Sequence, residues 1–106
     1  MIATILIPVK DADFFILDAL KSCMNQVTSF QYKVLVVDDH SSDNTQKYLE
    51  DFSRAYDNFS YLVSPGYGIS EALNYGLAMS STKYICRMDA DDVMMPNRIQ
   101  SQLTFS

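Results

Sequence analysis

The stretch that decides the fold reads Tyr32-Lys33-Val34-Leu35-Val36-Val37-Asp38-Asp39, a nearly continuous apolar run that ends in two acidic residues. A second run of the same kind, Ala3-Thr4-Ile5-Leu6-Ile7-Pro8-Val9, opens the chain. Runs that are apolar throughout, rather than at alternate positions, are typical of strands covered on both faces, as in a parallel sheet. The pattern therefore predicts buried parallel strands over residues 3–9 and 32–37.

Weaker strand patterns cover residues 59–63 and 83–88, and segments of helical periodicity separate the four strands. Short polar side chains cap helices and proline suits a first turn, so the predicted helix starts are Asp13, Ser41 or Ser42, Ser70 and Pro96. The apolar positions predicted to share a helix face are Leu17, Leu20 and Met24, then Tyr48, Phe52 and Tyr56, then Ile69, Leu73 and Leu77, and finally Met95, Ile99 and Leu103. Alternating strands and helices predict an α/β fold with three αβα layers and a mostly parallel sheet.

The composition is that of one globular domain over residues 1–106, with 48% hydrophobic and 20% charged residues. No apolar run is long enough for a membrane span, and a formal net charge of −5 disfavours nucleic acid as a partner. We expect a cytoplasmic protein in which Cys23 and Cys86 are buried, reduced thiols. The half-apolar end, Thr104-Phe105-Ser106, predicts that the sequence is the front part of a longer protein.

Acidic residues follow two of the predicted strands at the point where each ends. Asp38 and Asp39 follow the second strand, and Asp89-Ala90-Asp91-Asp92 follows the fourth. Ligands of open parallel sheets bind outside the carboxyl ends of the strands, so both groups are expected at one edge. Five carboxylates there repel one another unless a cation joins them, and Mg²⁺ and Mn²⁺ prefer oxygen ligands. In extended backbone Asp89 and Asp91 point to the same side and can share one ion; the alternative is a solvated turn that caps the next helix.

Four segments of the chain resemble, in order and spacing, the motifs of the family 2 glycosyltransferases, which have the GT-A fold. They are Ala3-Thr4-Ile5-Leu6-Ile7-Pro8-Val9-Lys10-Asp11, Val36-Val37-Asp38-Asp39-His40-Ser41-Ser42-Asp43-Asn44-Thr45, Gly68-Ile69-Ser70-Glu71-Ala72-Leu73-Asn74-Tyr75-Gly76-Leu77-Ala78, and Tyr84-Ile85-Cys86-Arg87-Met88-Asp89-Ala90-Asp91-Asp92 with Pro96 and Arg98. The resemblance implies a Rossmann-like GT-A domain, the N-terminal nucleotide-sugar-binding part of a longer enzyme. It implies metal-dependent sugar transfer from a nucleotide-diphosphate donor, commonly a UDP-sugar, to a saccharide or lipid-linked acceptor in glycan or polysaccharide biosynthesis.

The resemblance also implies roles for individual residues. Pro8 and Val9 would line the base and ribose pocket. Asp39 would accept a hydrogen bond from the nucleobase and Asp38 would support the same turn, while Ser70 and Asn74 would lie near the sugar diphosphate. Asp91 would bind Mn²⁺ or Mg²⁺ directly, and Asp89 would reach the ribose or the metal through water. The general base of inverting relatives comes from the acceptor-binding half, so no catalytic residue is assigned. His40 is expected to be a surface turn residue, and Arg87 either faces the diphosphate or pairs with an acid. The full-length enzyme could lie against the inner face of the membrane.

Two other classes of protein fit parts of the pattern. A signalling receiver domain also has acids after its strands and binds Mg²⁺, but it needs a lysine after its last strand, whereas Lys83 begins one. The other is an interaction module that keeps the fold without the chemistry. An apolar face left exposed by a missing half would favour self-association. Nucleotide binding and oligomeric state discriminate these hypotheses.

Overall fold

The computed structural model describes residues 1–104, in which strands and helices alternate along the chain. The strands are β1 (Ala3–Val9), β2 (Tyr32–Asp38), β3 (Phe59–Val63) and β4 (Tyr84–Arg87), and the helices are α1 (Ile16–Met24), α2 (Thr45–Ala55), α3 (Ile69–Met79) and α4 (Arg98–Thr104). Phe105 and Ser106, part of the apolar end noted above, lie outside the described residues. Within residues 1–104 no helix is both long and apolar enough to cross a membrane.

The four strands form one parallel sheet in the order β3-β2-β1-β4, which confirms the predicted α/β class. Every residue of β1 is buried, as its continuous apolar run predicts. Val9, the last residue of β1, pairs with Asp38, the last residue of β2, so these strands end level with each other. Strands β2 and β3 are added on one side of β1 and β4 on the other, which places a topological switch point between β1 and β4.

Helices cover both faces of this sheet, so the three αβα layers are confirmed. One face buries Ile5 and Ile7 of β1 against α1, α2 and α4, in a cluster that includes Leu20, Leu49 and Ile99. The other face buries Leu6, Leu35 and Val37 against Ala72 of α3. Because β1 alternates its side chains between these two clusters, it is the centre of the core.

The predicted starts of the first three helices differ from the observed ones. The helices α1, α2 and α3 begin after Phe15, Asn44 and Gly68, and none of these residues makes a side-chain cap. Two of the side chains expected to cap them, Asp13 and Ser41, bind neighbouring loops or acids instead, whereas α3 begins one residue before Ser70. Asp13 accepts a hydrogen bond from the Asn44 N–H, and Ser41 Oγ both accepts from the Asp11 N–H and donates to Asp38.

Smaller differences concern the ends of elements and the helix faces. Pro96 precedes α4 by two residues instead of starting it, and β4 is shorter at both ends than the predicted strand over residues 83–88. The predicted apolar faces are only partly correct: Leu20 and Ile99 are buried, and most of the others are half-buried. Four of the predicted residues are exposed: Tyr56, Ile69, Leu77 and Met95. The buried face of α3 is made of Ala72 and Gly76, small residues that a search for large apolar side chains overlooks.

Gly76 lets α3 lie close to the sheet. A Cβ atom at this position would lie 2.5 Å from Leu6 Cδ1 and 3.0 Å from Val37 Cγ2, and both of those side chains are fully buried. We expect Gly76→Val to lower the free energy of unfolding by about 1–3 kcal/mol, the usual cost of overpacking a core. Urea denaturation measures it, with Ala78→Val on the exposed side of the same helix as the control. Equal losses in the two variants would contradict this close packing.

The two cysteines are buried and unpaired, as predicted. Burial raises the pKa of Cys23 to about 12, and its Sγ lies 3.8 Å from the Sδ of Met88. Burial also raises the pKa of Cys86. Only a thiolate attacks a thiol reagent at a useful rate, so the folded protein should not react with Ellman's reagent at pH 8, and both thiols should react in denaturing urea. Rapid labelling in native buffer would contradict the burial.

Candidate functional site

A crevice of about 310 Å³ opens between the carboxyl ends of β1 and β4, at the topological switch point. Such a position is where open α/β sheets bind their ligands, and pockets for small molecules occupy roughly 300–1,000 Å³. The crevice is lined by Pro8, Val9, Lys10, Asp11, Ala12, Phe15, Ile69, Asp89, Ala90 and Asp91. The structure thus brings together four residues that the sequence assigned to one site: Pro8, Val9, Asp89 and Asp91.

An acidic cluster forms one wall of this crevice. One carboxylate oxygen from each of Asp89, Asp91 and Asp92 lies within 4.8 Å of the others, and all three side chains are exposed. The backbone here is a turn, closed by a hydrogen bond of 3.0 Å from the Asp92 N–H to the Asp89 carbonyl, and not the extended segment we expected. The turn adds Asp92 to the cluster, which the spacing of Asp89 and Asp91 alone did not reveal.

The geometry of the cluster bears on the alternative that these acids merely cap a helix. Helix α4 begins only at Arg98, six residues after Asp92, so the turn caps no helix. Three carboxylates that can converge on one point form a hard, all-oxygen donor set of the kind that Mg²⁺ and Mn²⁺ take. The side chains present therefore suit a divalent ion.

The loop after β2 is held by buried hydrogen bonds. Asp38 is fully buried, and its carboxylate accepts from the Ser41 N–H at 3.2 Å and from the Gln46 side chain at 2.6 Å. Its neighbour Asp39 is also buried and donates its N–H to the Val9 carbonyl at 2.7 Å. These contacts tie the end of β2 to the end of β1, at the edge of the sheet where the crevice opens.

The Asp39 side chain joins this loop to the start of α3. Its Oδ1 accepts a hydrogen bond of 2.9 Å from the N–H of Gly68, which has a φ of +99° that favours glycine. Beside it, His40 Nε2 lies 3.0 Å from the Gly66 carbonyl, and the His40 ring stacks on Tyr67 with centroids 4.4 Å apart. His40 has a φ of +56° in the loop after β2, but it is half-buried and not the surface residue we expected, and its ring connects two loops.

The remaining assigned residues lie near the crevice without lining it. Ser70 and Asn74 are exposed on α3, whereas Ile69, one residue earlier, contributes to the wall. Arg87 pairs with an acid, the second of the two alternatives, since its Nη2 lies 3.5 Å from Asp89 Oδ1. Phe15 was overlooked because its position suggests only helix packing, yet it is more than half exposed and lines the crevice.

Comparison with known proteins identifies the family. The model of Glycosyl transferase family 2 matches residues 4–105. The minor teichoic acid biosynthesis protein GgaB of Bacillus subtilis is 26% identical over 104 residues, which are 96% of this chain and 12% of GgaB. An uncharacterized glycosyltransferase of Haemophilus influenzae is 32% identical over 106 residues, covering 98% of this chain and 32% of that protein. This chain therefore spans a third or less of these relatives.

Solved structures show the same fold. Residues 1–349 of S. aureus TarS, crystallised with UDP, superpose with a TM-score of 0.87 at 22% identity, covering 99% of this chain and 32% of that one. The mannosyltransferase PcManGT from Pyrobaculum calidifontis, in complex with GDP-Man and Mn²⁺, gives a TM-score of 0.77 at 22% identity over 91% of this chain and 29% of that one. These neighbours confirm the GT-A type of fold, and the family match excludes the receiver hypothesis. Because the family model covers nearly every residue, the chain belongs to glycosyl transferase family 2.

Proposed function

We propose that this chain is the donor-binding part of a metal-dependent glycosyltransferase that takes a sugar from a UDP-linked donor. The observation that carries the proposal is the crevice at the switch point, where the loop after β1 faces the carboxylates of Asp89 and Asp91. TarS in complex with UDP and with UDP-GlcNAc, and PcManGT in complex with GDP-Man and Mn²⁺, support a nucleotide-sugar donor. The teichoic acid name of GgaB supports an acceptor in polysaccharide biosynthesis.

Different residues in and around the crevice would bind different parts of the donor. Pro8 and Val9, at the end of β1, form an apolar wall against which the base and ribose would lie. Asp39 sits beside Val9 through a backbone hydrogen bond and would accept the N–H of a uracil ring. Asp38 keeps the loop in place through its protein partners. Ser70, in the first turn of α3, and Asn74, one turn further along, would approach the diphosphate and sugar.

The acidic cluster explains how an acidic chain would hold an anionic donor. Without a cation, Asp89, Asp91 and Asp92 repel a diphosphate. Asp91 would bind Mn²⁺ or Mg²⁺ directly, with Asp89 contributing directly or through water and Asp92 completing the oxygen set. When bound, the ion supplies Lewis-acid stabilisation of the charge that develops on the leaving nucleoside diphosphate.

Groups needed for turnover are expected outside this chain. We assign no general base among residues 1–104, because in the inverting enzymes it comes from the acceptor-binding half. The acceptor, a saccharide or a lipid-linked saccharide, would bind there, with the reaction on the cytoplasmic side of the membrane. Self-association through exposed apolar side chains such as Phe14 and Val93 stays a prediction, which size-exclusion chromatography tests.

Titration calorimetry with UDP, GDP and CDP, each with and without Mn²⁺, tests the proposal. We expect UDP to bind most tightly and Mn²⁺ to strengthen its binding by at least about tenfold, since the ion reverses the local charge. Binding of none of the three nucleotides in either condition would contradict donor binding and favour an interaction module. An affinity for UDP that is the same with and without Mn²⁺ would support a donor site and contradict the metal assignment.

A further inference from the structure

A second cavity adjoins the acidic cluster and is larger than the donor crevice. It has a volume of about 440 Å³ and is lined by Arg87, Met88, Asp89, Asp92, Val93 and Arg98. All of these residues come from the end of β4, the acidic turn and the start of α4, and none comes from β1. The two cavities share Asp89, so a group bound in the second would lie next to the cluster without occupying the donor crevice.

Two arginines that the donor site does not use line the second cavity, together with the acids Asp89 and Asp92. Arg87 makes an ion pair of 3.5 Å with Asp89, but both side chains are more than half exposed, and such pairs contribute little. Arg98 donates its Nε–H to the side chain of Gln102 at 3.3 Å, which steadies the guanidinium at the first turn of α4. A guanidinium carries five N–H donors, so Arg98 can bind a further anion while it keeps its contact with Gln102, and Arg87 can do so when Asp89 no longer competes for it.

We propose that Arg87 and Arg98 form a subsite for a phosphate group carried by the acceptor. The inference rests on the proposed function, since that function assigns the crevice to the donor and leaves this cavity for the acceptor. The planar fork of a guanidinium matches two oxygens of a phosphate. Asp89 and Asp92 line the same cavity, so the two arginines compensate the charge of a phosphate dianion once a divalent ion neutralises these carboxylates. A neutral saccharide would have no use for two cations at this position.

The ion pair between Arg87 and Asp89 couples this subsite to the acidic cluster. While Asp89 faces Arg87, its negative charge opposes an incoming phosphate. When Asp89 is engaged by a divalent cation, the carboxylate is neutralised and the guanidinium of Arg87 is released for the phosphate. By linkage, phosphate must then strengthen cation binding by the same factor by which the cation strengthens phosphate binding.

Titration of this chain with glycerol 3-phosphate and with inorganic phosphate, with and without Mg²⁺, tests the subsite directly. Arg87→Gln and Arg98→Gln should each weaken glycerol 3-phosphate binding about tenfold in the presence of Mg²⁺, the usual loss for a hydrogen bond to a charged group. Asp89→Asn should strengthen binding in the absence of Mg²⁺, because it removes the competing carboxylate. The matched control is Arg54→Gln, an exposed arginine of α2 that pairs with Glu50 and should change nothing. Circular dichroism checks that each variant is folded.

The same titrations separate the sources of the phosphate. Glycerol 3-phosphate that binds more tightly than inorganic phosphate, and still binds when UDP and Mg²⁺ are saturating, supports an acceptor subsite. Competition by UDP would assign the arginines to the donor and overturn the proposal while leaving the proposed function intact. A preference for inorganic phosphate, or equal losses in Arg54→Gln and Arg87→Gln, would overturn it as well. Phosphate binding in a protein that fails to bind UDP would contradict the proposed function and not the arginine subsite.

Discussion

Replacing Asp91 by asparagine should abolish the Mn²⁺-dependent part of the affinity for UDP. Asp91 is exposed in the acidic turn, and its carboxylate both lines the crevice and belongs to the three-carboxylate cluster. Loss of a residue that only supports a metal ligand lowers metal affinity roughly 10- to 100-fold. Removing Asp91, which would bind the ion itself, should lower it by more than that. Titration calorimetry with UDP, with and without Mn²⁺, measures the difference between the two affinities.

A matched control for this variant is Asp57→Asn. Asp57 is an exposed aspartate before β3, at the amino ends of the strands and therefore at the opposite edge of the sheet. It changes the net charge by the same amount, so a general electrostatic effect would appear in both variants. If Asp91→Asn keeps the full Mn²⁺ enhancement seen in the unmodified chain, the metal assignment is wrong.

The second large effect concerns Asp39, for which two substitutions separate stability from binding. In Asp39→Asn the side-chain oxygen can still accept the Gly68 N–H, so the loop and the melting temperature should change little. The second carboxylate oxygen becomes an amide donor, which cannot accept an N–H from the base, so UDP affinity should fall at least about tenfold. In Asp39→Ala the Gly68 N–H loses its partner, and we expect an additional loss of about 1–3 kcal/mol in the free energy of unfolding.

Thermal shift with and without UDP reads both quantities in one experiment. The stabilisation by UDP should be small in both Asp39 variants, whereas the melting temperature without ligand should fall only in Asp39→Ala. An unchanged UDP-induced shift in Asp39→Asn would show that the nucleobase does not contact this carboxylate. A large loss of stability in Asp39→Asn would show that the second oxygen already has a structural partner.

The strands of this protein were predictable because burial on both faces leaves a clear pattern. The bounds of β1 and β3 agree with the predicted ranges, and β2 is one residue longer because Asp38 still pairs with Val9 and Val63. Strands β3 and β4 lie at the two edges of the sheet; the bounds of β3 agree with the prediction, whereas β4 is shorter at both ends than predicted. The two central strands, β1 and β2, have the longest continuous apolar runs and were the clearest to predict.

Helix starts were harder to predict, because the capping signal depends on a side chain that has other partners. Asp13 and Ser41 are good capping residues in isolation, but each contacts a neighbouring loop. The loops after β1 and β2 are held together by these bonds, among them one from the Ser42 N–H to Asp11 Oδ1 at 2.7 Å. Partners some 30 residues apart in sequence leave no local signature, so single-sequence reasoning assigns such side chains to the nearest helix.

The sequence predicted at which edge of the sheet the candidate site lies, but not the geometry of its turn and cavities. Placing acids directly after strands led to Asp39, Asp89 and Asp91 at the carboxyl ends, which is where the structure has them. The turn that gathers Asp92 into the cluster depends on a backbone hydrogen bond that sequence spacing does not specify. Arg87 ends β4 and Arg98 begins α4, and the sequence does not show that both line one cavity.

Mapping of backbone amide shifts by NMR, on addition of UDP with Mg²⁺, tests most directly whether the loops after β1, β2 and β4 bind one ligand together. The largest changes should fall on the crevice residues Lys10 and Ala90 and on the Gly68 amide that Asp39 holds. Gln31 and Asn58, which precede β2 and β3 at the far ends of these strands, should not shift. Shifts confined to Gln31 and Asn58, or limited to one of the three loops, would contradict a shared nucleotide site at the switch point.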